Sequence, residues 1–274
     1  MQERPRSPKP ASATADADRG DSPASETPLV ALLRRNLASV RHRLDAAAAQ
    51  TGRPSPTLVA VTKTVPNEVA LALHALSQEH LAENRADPFV QKVAAFDAAG
   101  QRPVWHFVGH LQRNKARRVL EHVDVLHSVD SRRLAETVIR ITDELRRDVD
   151  VFLQVNFTGE TEKHGLRSDE AGDVATLLGQ AGHVHLRGLM AMGPLAEREG
   201  ARTVDEVFGE AAARARELQR AVPGAFVEER CELSMGMSGD AEAAIARGSD
   251  LVRVGSALFE GVERIDREGA SRAS

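Results

Sequence analysis

From residue 57 onward the chain alternates short apolar runs with longer stretches in which apolar residues recur at helical spacing. Eight runs rich in β-branched and other apolar residues predict strands. They cover residues 57–62, 80–83, 104–109, 124–129, 151–157, 186–192, 232–236 and 250–255. The intervening stretches predict amphipathic helices, for example over residues 66–76, 131–146, 204–221 and 240–247.

This alternation is typical of an α/β protein built from parallel βαβ units. Eight units suit a single (β/α)8 TIM barrel, although an open doubly wound sheet would show the same alternation. A further helix is predicted to begin near Thr27, because Pro28 suits a first helical turn and apolar residues then recur at helical spacing as far as Leu44. We expect the apolar face of that helix to pack on the barrel.

Composition separates the predicted barrel from two tails. Residues 1–26 are rich in Pro, Ser, Ala, Asp and Arg and have almost no large apolar side chain, so we expect them to be disordered. An organellar targeting peptide is the alternative, but such peptides are poor in acids and this segment contains Glu3, Asp16, Asp18 and Asp21. We expect the barrel to span residues 27–264 and a C-terminal tail to span residues 265–274.

Charge and cysteine content narrow the possible partners. The 274 residues include 36 Lys and Arg against 40 Asp and Glu, so no general field attracts nucleic acid or an anionic membrane. No stretch reaches the roughly 20 apolar residues of a membrane-spanning helix. The single cysteine, Cys231, excludes an internal disulfide and a multi-cysteine metal site. We expect a cytoplasmic monomer that binds small molecules and assign no metal ligands.

Lys63 follows the first apolar run directly, and (β/α)8 barrels place their working groups at the carboxyl ends of strands. A neutral lysine amine attacks an aldehyde to form an imine, so Lys63 is a candidate site of covalent attachment. A solvated lysine at a strand end is the other interpretation, and this run alone does not exclude it.

The last two runs supply a candidate anion site. Arg253 interrupts an apolar run, and a buried guanidinium requires an acceptor. Gly255 leaves room for a ligand to approach the backbone, Ser256 stands at a predicted helix start, and Ser238 follows the seventh run. Barrel enzymes often bind phosphate after strands seven and eight, so these residues predict a phosphate site, with a plain glycine turn and helix cap as the alternative.

Nine segments, in order along the chain, resemble the pyridoxal 5′-phosphate (PLP) homeostasis protein family. They are AVTK (60–63), ENR (83–85), WHFVGHLQRNK (105–115), HSVD (127–130), QVN (154–156), EKHG (162–165), RGLMAM (187–192), LSMGMS (233–238) and VRVGS (252–256). The resemblance implies a fold like the N-terminal barrel of alanine racemase and bound PLP without an established turnover reaction. It implies a Schiff base on Lys63, phosphate contacts from Ser238, Gly255 and Ser256, and Arg253 facing the pyridine nitrogen.

The resemblance also implies that Asn84 and His106 line the pocket, although His106 can equally be a hydrogen-bonded core histidine. The chain departs from the family pattern at residues 86–88 (ADP), where we expect a reshaped loop, and at Ala82 and Glu260. The departures at Ala82 and Glu260 remove no proposed cofactor contact. The basic segment from Gln112 onward is interpreted as a solvated helix face.

Three functions are compatible with such a site. The first is a non-catalytic PLP carrier that buffers the reactive aldehyde and delivers PLP to apo-enzymes. The second is a PLP-dependent amino-acid racemase, but racemases of this fold use a tyrosine as the second base and this chain has none. Cys231 precedes the seventh run and should lie toward the opposite rim from Lys63. The third is a barrel that binds another phosphorylated metabolite, which an absorbance spectrum would distinguish from PLP.

Overall fold

The computed structural model describes residues 26–160, 164–194, 202–265 and 271–272. Eight parallel strands close into a barrel in which each strand pairs with its neighbours in chain order and β1 also pairs with β8. The strands are β1 (Thr57–Val61), β2 (His80–Glu83), β3 (Val104–Phe107), β4 (Val125–Val129), β5 (Val149–Gln154), β6 (Val184–Met190), β7 (Glu232–Ser234) and β8 (Leu251–Val254). The closed barrel confirms the predicted fold and excludes the open sheet.

Helices follow the strands and cover the outside of the barrel. They are α1 (Pro28–Thr51), α2 (Asn67–Ala75), α3 (Ala86–Ala98), α4 (Ala116–Leu120), α5 (Arg132–Leu145), α6 (Ala171–Gly179), α7 (Val204–Ala221) and α8 (Ala241–Ala246). None of the helices in the described ranges is both long and apolar enough to span a membrane. The apolar face of α1 is buried through Leu33, Leu37, Val40 and Leu44, as its spacing predicted.

Side-chain caps set the ends of several helices. The Thr27 hydroxyl accepts the N–H of Val30 at 3.4 Å, and Pro28 occupies the first turn, which confirms the predicted start of α1. Before α7, Thr203 and Glu206 form a reciprocal capping box. The Ser131 hydroxyl likewise accepts the N–H of Leu134 at the start of α5. These caps satisfy N–H groups that the helices leave without a backbone partner.

Several predicted boundaries differ from the structure by a few residues, and two of them have an identifiable reason. The fifth strand ends at Gln154 and not at residue 157, because Val155 instead pairs with Leu166, a residue of the following loop. The expected helix start at Ser256 is a turn. There the side-chain amide of Asn36 donates to the carbonyl oxygens of Leu258 and Glu260, in place of the backbone N–H groups that would bind them in a helix.

Residues 86–88 form the first turn of α3, a helix that immediately follows β2, and Pro88 lies within that turn. The predicted N-terminal tail lies outside the described ranges except for residue 26. Within the predicted C-terminal tail, residues 271–272 form a short antiparallel pair with residues 264–265. Residues 266–270 and 273–274 of that tail are outside the described ranges.

Candidate functional site

Lys63 lies in the turn directly after β1, at the carboxyl-end mouth of the barrel, and its side chain is exposed. The register pairs Val61 with Ala82 of β2 and Ala60 with Val254 of β8. The residues that follow those strands, Asn84 and Gly255, therefore flank the Lys63 turn on its two sides. The barrel thus places a primary amine at the mouth next to the proposed phosphate-binding turn.

A buried ion pair supports the Lys63 turn from below. The Lys92 ammonium of α3 donates to Glu83 Oε1 at 2.6 Å and to the carbonyl oxygens of Thr62 at 2.8 Å and Val65 at 3.3 Å. The Thr62 hydroxyl also donates to Glu83 Oε1, at 2.6 Å. Because Thr62 and Val65 bracket Lys63, this network fixes the backbone on both sides of the amine. Sequence analysis missed Lys92, whose only signal was a charged residue on the buried side of a helix.

Arg253 points into the barrel interior, where only 5% of the residue is exposed. Its guanidinium donates from Nη1 to Ser234 Oγ at 2.6 Å and from Nη2 to the carbonyl oxygen of Ala191 at 2.9 Å. Burial lowers its pKa to about 10, while the charge of Asp240 acts in the opposite direction, so the group is cationic at neutral pH. Both of these hydrogen-bond acceptors are neutral, so the guanidinium keeps its own charge and suits an electron-rich ligand atom.

The candidate phosphate site comprises Ser238, Gly255 and Ser256, which lie in the turns after β7 and β8. Gly255 packs closely on the end of β1, because a Cβ atom there would lie 3.2 Å from the carbonyl oxygen of Val61. Ser256 is exposed and Ser238 is half-buried. Asp240 lies two residues after Ser238, and its Oδ1 accepts the N–H of Met237 at 2.5 Å. The two turns present hydroxyl and backbone groups at the same mouth as Lys63.

The structure separates Asn84 from His106. Asn84 is half-buried just beyond β2 at the Lys63 mouth, and its backbone packs so closely on Gly109 that a Cβ there would lie 1.9 Å from the Asn84 carbonyl oxygen. His106 is buried one layer deeper, where its ring nitrogens lie 2.9 Å from His80 and 2.8 Å from His127. Contact of either residue with a cofactor stays a prediction.

A second cavity, of about 340 Å³, lies at the amino ends of the strands, opposite Lys63. His80 and His106 form part of its wall, together with Arg187, which donates to Glu232 at 2.9 Å and to Asp150 at 3.4 Å. Because its charged groups are paired with one another, this cavity offers no excess charge for an anion. In TIM barrels the residues at this face serve stability, and the chemistry takes place at the other mouth.

Cys231 directly precedes β7, and so lies toward the amino-end mouth as expected. Burial raises the pKa of its thiol to about 12, which strongly disfavours the thiolate. Both the position of the thiol and its raised pKa therefore disfavour a function as nucleophile or acid–base group at Lys63.

Three possible metal ligands meet at the Lys63 mouth, in the loops after β3, β4 and β5. They are His110, Asp130 and His164, whose donor atoms lie within 4.8 Å of one another. His110 Nδ1 already contacts Asp130 at 2.7 Å, and the two imidazoles stack face to face with centroids 3.9 Å apart. Each imidazole lone pair lies in its own ring plane, and because the two planes are stacked and nearly parallel, the lone pairs cannot both point at one ion about 2 Å away. In this arrangement the cluster is a hydrogen-bonded stack and not a coordination sphere.

The basic segment that begins near Gln112 forms a short 3₁₀ turn followed by α4. Lys115 and Arg118 both pair with Asp87 of α3, at 2.8 Å and 2.6 Å, and Arg117 pairs with Glu144 of α5. These ion pairs connect α4 to α3 and α5, which agrees with a solvated helix face that ties neighbouring helices together.

Comparison with known proteins places this geometry in a family. The family model for the alanine racemase N-terminal domain matches residues 36–262. The pyridoxal phosphate homeostasis protein of Escherichia coli is 38% identical over 239 residues, covering 83% of this chain and 95% of that protein. The corresponding Pseudomonas aeruginosa protein is 36% identical over 230 residues, covering 83% and 94%.

Solved structures agree with the sequence relatives. PipY of Synechococcus elongatus with PLP bound has a TM-score of 0.72 and 36% identity, covering 83% of this chain and 99% of that chain. An alanine racemase of Clostridium difficile has a TM-score of 0.62 at 15% identity, which shows a shared fold alone.

Proposed function

This chain belongs to the pyridoxal phosphate homeostasis protein family, and we propose that it binds PLP as a Schiff base on Lys63 in intracellular PLP homeostasis. The single observation that carries the proposal is the convergence of an exposed lysine amine, a serine- and glycine-containing turn and a buried arginine at one mouth of the barrel. PLP presents an aldehyde, a phosphate and a pyridine nitrogen. Each of these groups has a complementary partner among the residues at that mouth.

The donor chemistry of the site fits PLP. Within the described ranges the two hydrogen-bond acceptors of Arg253, Ser234 Oγ and the carbonyl oxygen of Ala191, are neutral, so its guanidinium can also donate to an acceptor such as an unprotonated ring nitrogen. The hydroxyls of Ser238 and Ser256 can donate to phosphate, and Gly255 places no side chain between them and the end of β1. The Lys63 nitrogen condenses with an aldehyde carbon, and one water is released.

Arg253 also supports a carrier function over catalysis. PLP acts as a strong electron sink when its ring nitrogen is protonated, a state that a nearby carboxylate favours. Arg253 supplies a cation that donates hydrogen bonds, which favours the unprotonated ring nitrogen. The chain also contains no tyrosine to act as a second base. We therefore propose that α-proton exchange of added amino acids in deuterated water is barely faster than with free PLP.

Borohydride trapping tests the attachment site. The purified protein is loaded with PLP, its visible spectrum is recorded, the imine is reduced and the modified peptide is identified by mass spectrometry. We expect the phosphopyridoxyl group on Lys63 and its loss in Lys63→Ala. Lys92 is a matched internal control, because its ammonium is buried and hydrogen-bonded to three oxygens. Label on Lys92, or a visible band that persists in Lys63→Ala, would refute the assignment.

Delivery of PLP to apo-enzymes, a monomeric state and a cytoplasmic location belong to the same proposal. The negative net charge, −4, and the single cysteine support a small-molecule protein of a reducing compartment. Mixing the loaded protein with an apo PLP-dependent enzyme and following the recovery of its activity tests delivery. Transfer no faster than dissociation into buffer would contradict a delivery function.

A further inference from the structure

A continuous chain of polar side chains crosses the interior of the barrel. His80 Nδ1 lies 2.9 Å from His106 Nε2, and His106 Nδ1 lies 2.8 Å from His127 Nε2. His127 Nδ1 lies 2.8 Å from Ser234 Oγ, which accepts from Arg253 Nη1 at 2.6 Å. The chain therefore joins the cavity at the amino-end mouth, lined by His80, to the arginine of the proposed cofactor site.

The two inner imidazoles are neutral. Burial, followed by the charge of His80, lowers the pKa of His106 to about 3. Burial also lowers the pKa of His127 well below its ordinary value, and the charges of His106 and Arg253 act in the same direction. A neutral imidazole has one N–H donor and one unprotonated acceptor nitrogen. Each inner ring must therefore donate on one side and accept on the other, so the tautomers of neighbouring rings are linked.

Arg253 determines the direction of this chain. A guanidinium can only donate, so Ser234 Oγ accepts from it and has its own hydrogen left to donate. Among the described residues, the second polar neighbour of that oxygen is His127 Nδ1. If the Ser234 hydroxyl donates to His127 Nδ1, then His127 donates from Nε2 to His106, and His106 donates from Nε2 to His80. In the reverse order, the buried hydroxyl hydrogen of Ser234 would have no acceptor there, which is unfavourable.

We propose that His127 and His106 are positioning residues that hold Ser234, and through it Arg253, in a fixed hydrogen-bond direction beneath the PLP ring. The direction runs from Arg253 to His80, so a change in hydrogen bonding at the opposite mouth is transmitted to the cofactor site. The statement about the ring rests on the proposed function, whereas the order of the hydrogen bonds rests on the protein alone. This hydrogen-bonded series of side chains gives His106 a function that needs no contact with the cofactor.

The order of the chain is tested in the PLP-free protein by ¹⁵N NMR of the imidazole nitrogens at pH 7. In the wild type we expect His106 and His127 to carry the proton on Nε2. Ser234→Ala removes the donor to His127, so the tautomer ratios of both histidines should change together by about fivefold, the equivalent of one hydrogen bond of about 1 kcal/mol. Ser128→Ala is the matched control, because Ser128 is equally buried beside His127 and its Oγ has no hydrogen-bond partner among the described residues. A proton on Nδ1 of His127 in the wild type would overturn the proposed direction.

Positioning is tested in the PLP-loaded protein by the pH dependence of the visible absorbance. His127→Leu breaks the chain and should change the titration of the bound chromophore. His127→Gln should restore the wild-type profile, because its amide can accept from Ser234 and donate to His106. It also keeps the test valid if His127→Leu does not fold. Identical profiles for the wild type and a folded His127→Leu protein would overturn the positioning function. If the wild type binds no PLP, the proposed function fails, and the NMR result still decides the order of the chain.

Discussion

The buried histidines should make the fold sensitive to mild acid. At pH 7 a histidine is largely neutral in both the folded and the unfolded chain, so His106 and His127 contribute little pH dependence. Below pH 6.5, the ordinary value, the unfolded chain binds protons that the fold excludes, and stability falls with pH. The loss ceases near pH 3 for His106, where the folded form is also protonated.

The magnitude follows from the pKa of His106, which burial moves from 6.5 to about 3. Lowering the pH from 7 to 5 should cost about 2 kcal/mol for His106. Burial also lowers the pKa of His127, so this histidine adds a loss of stability in the same direction.

The assay is urea unfolding of the PLP-free protein, followed by far-UV circular dichroism at pH 7, 6 and 5. His106→Gln/His127→Gln removes both groups, and every other titrating group is common to both proteins. The variant should therefore lose at least about 2 kcal/mol less than the wild type between pH 7 and pH 5, the amount expected for His106 alone. His42→Gln, on an exposed position of α1, controls for removal of a histidine as such. Equal losses in the wild type and the double variant would refute the reasoning.

Three further outcomes are expected. Lys63→Ala should change the free energy of urea unfolding by less than about 0.5 kcal/mol, since the side chain is exposed; a larger loss would indicate a structural residue. Ser238→Ala and Ser256→Ala should each weaken PLP binding by about 1–3 kcal/mol in a fluorescence titration and pyridoxal binding much less; equal losses for both ligands would contradict the phosphate contacts. Glu83→Gln should lower the free energy of unfolding by about 3–5 kcal/mol, because Lys92 stays buried without its carboxylate. Glu83→Leu/Lys92→Met should recover most of this loss. A folded Glu83→Gln protein of unchanged stability would show that the ion pair does not stabilise the fold.

Local patterns were sufficient for much of the candidate site. Lys63 was identified because it directly follows an apolar run that predicts a strand, and Arg253 because it interrupts another such run. Their placement in a closed barrel is confirmed. The segments that resemble the homeostasis family identified the same family as the comparisons. These features are encoded by residues close together in the chain, where side-chain chemistry and hydrophobic periodicity act directly.

Contacts between distant residues were not predicted from the sequence. Lys92 and Glu83 are nine positions apart, but nothing in the chain states that this lysine reaches the backbone around Lys63. The turn at Ser256 was read as a helix start, because the sequence does not show that Asn36, far away on α1, occupies the carbonyl groups there. These long-range hydrogen bonds override the local preference for a helix start at Ser256.

The sequence by itself determined the alternation of strands and helices and the lysine, serine, glycine and arginine residues of the candidate site. The tertiary structure decided which side chains share the barrel interior. Strand register brings His80, His106, His127 and Ser234 into one hydrogen-bonded line with Arg253, although they span more than 170 positions. The physical reason is that closing a barrel turns every second residue of each strand inward, and the register of all eight strands then sets which of those residues meet.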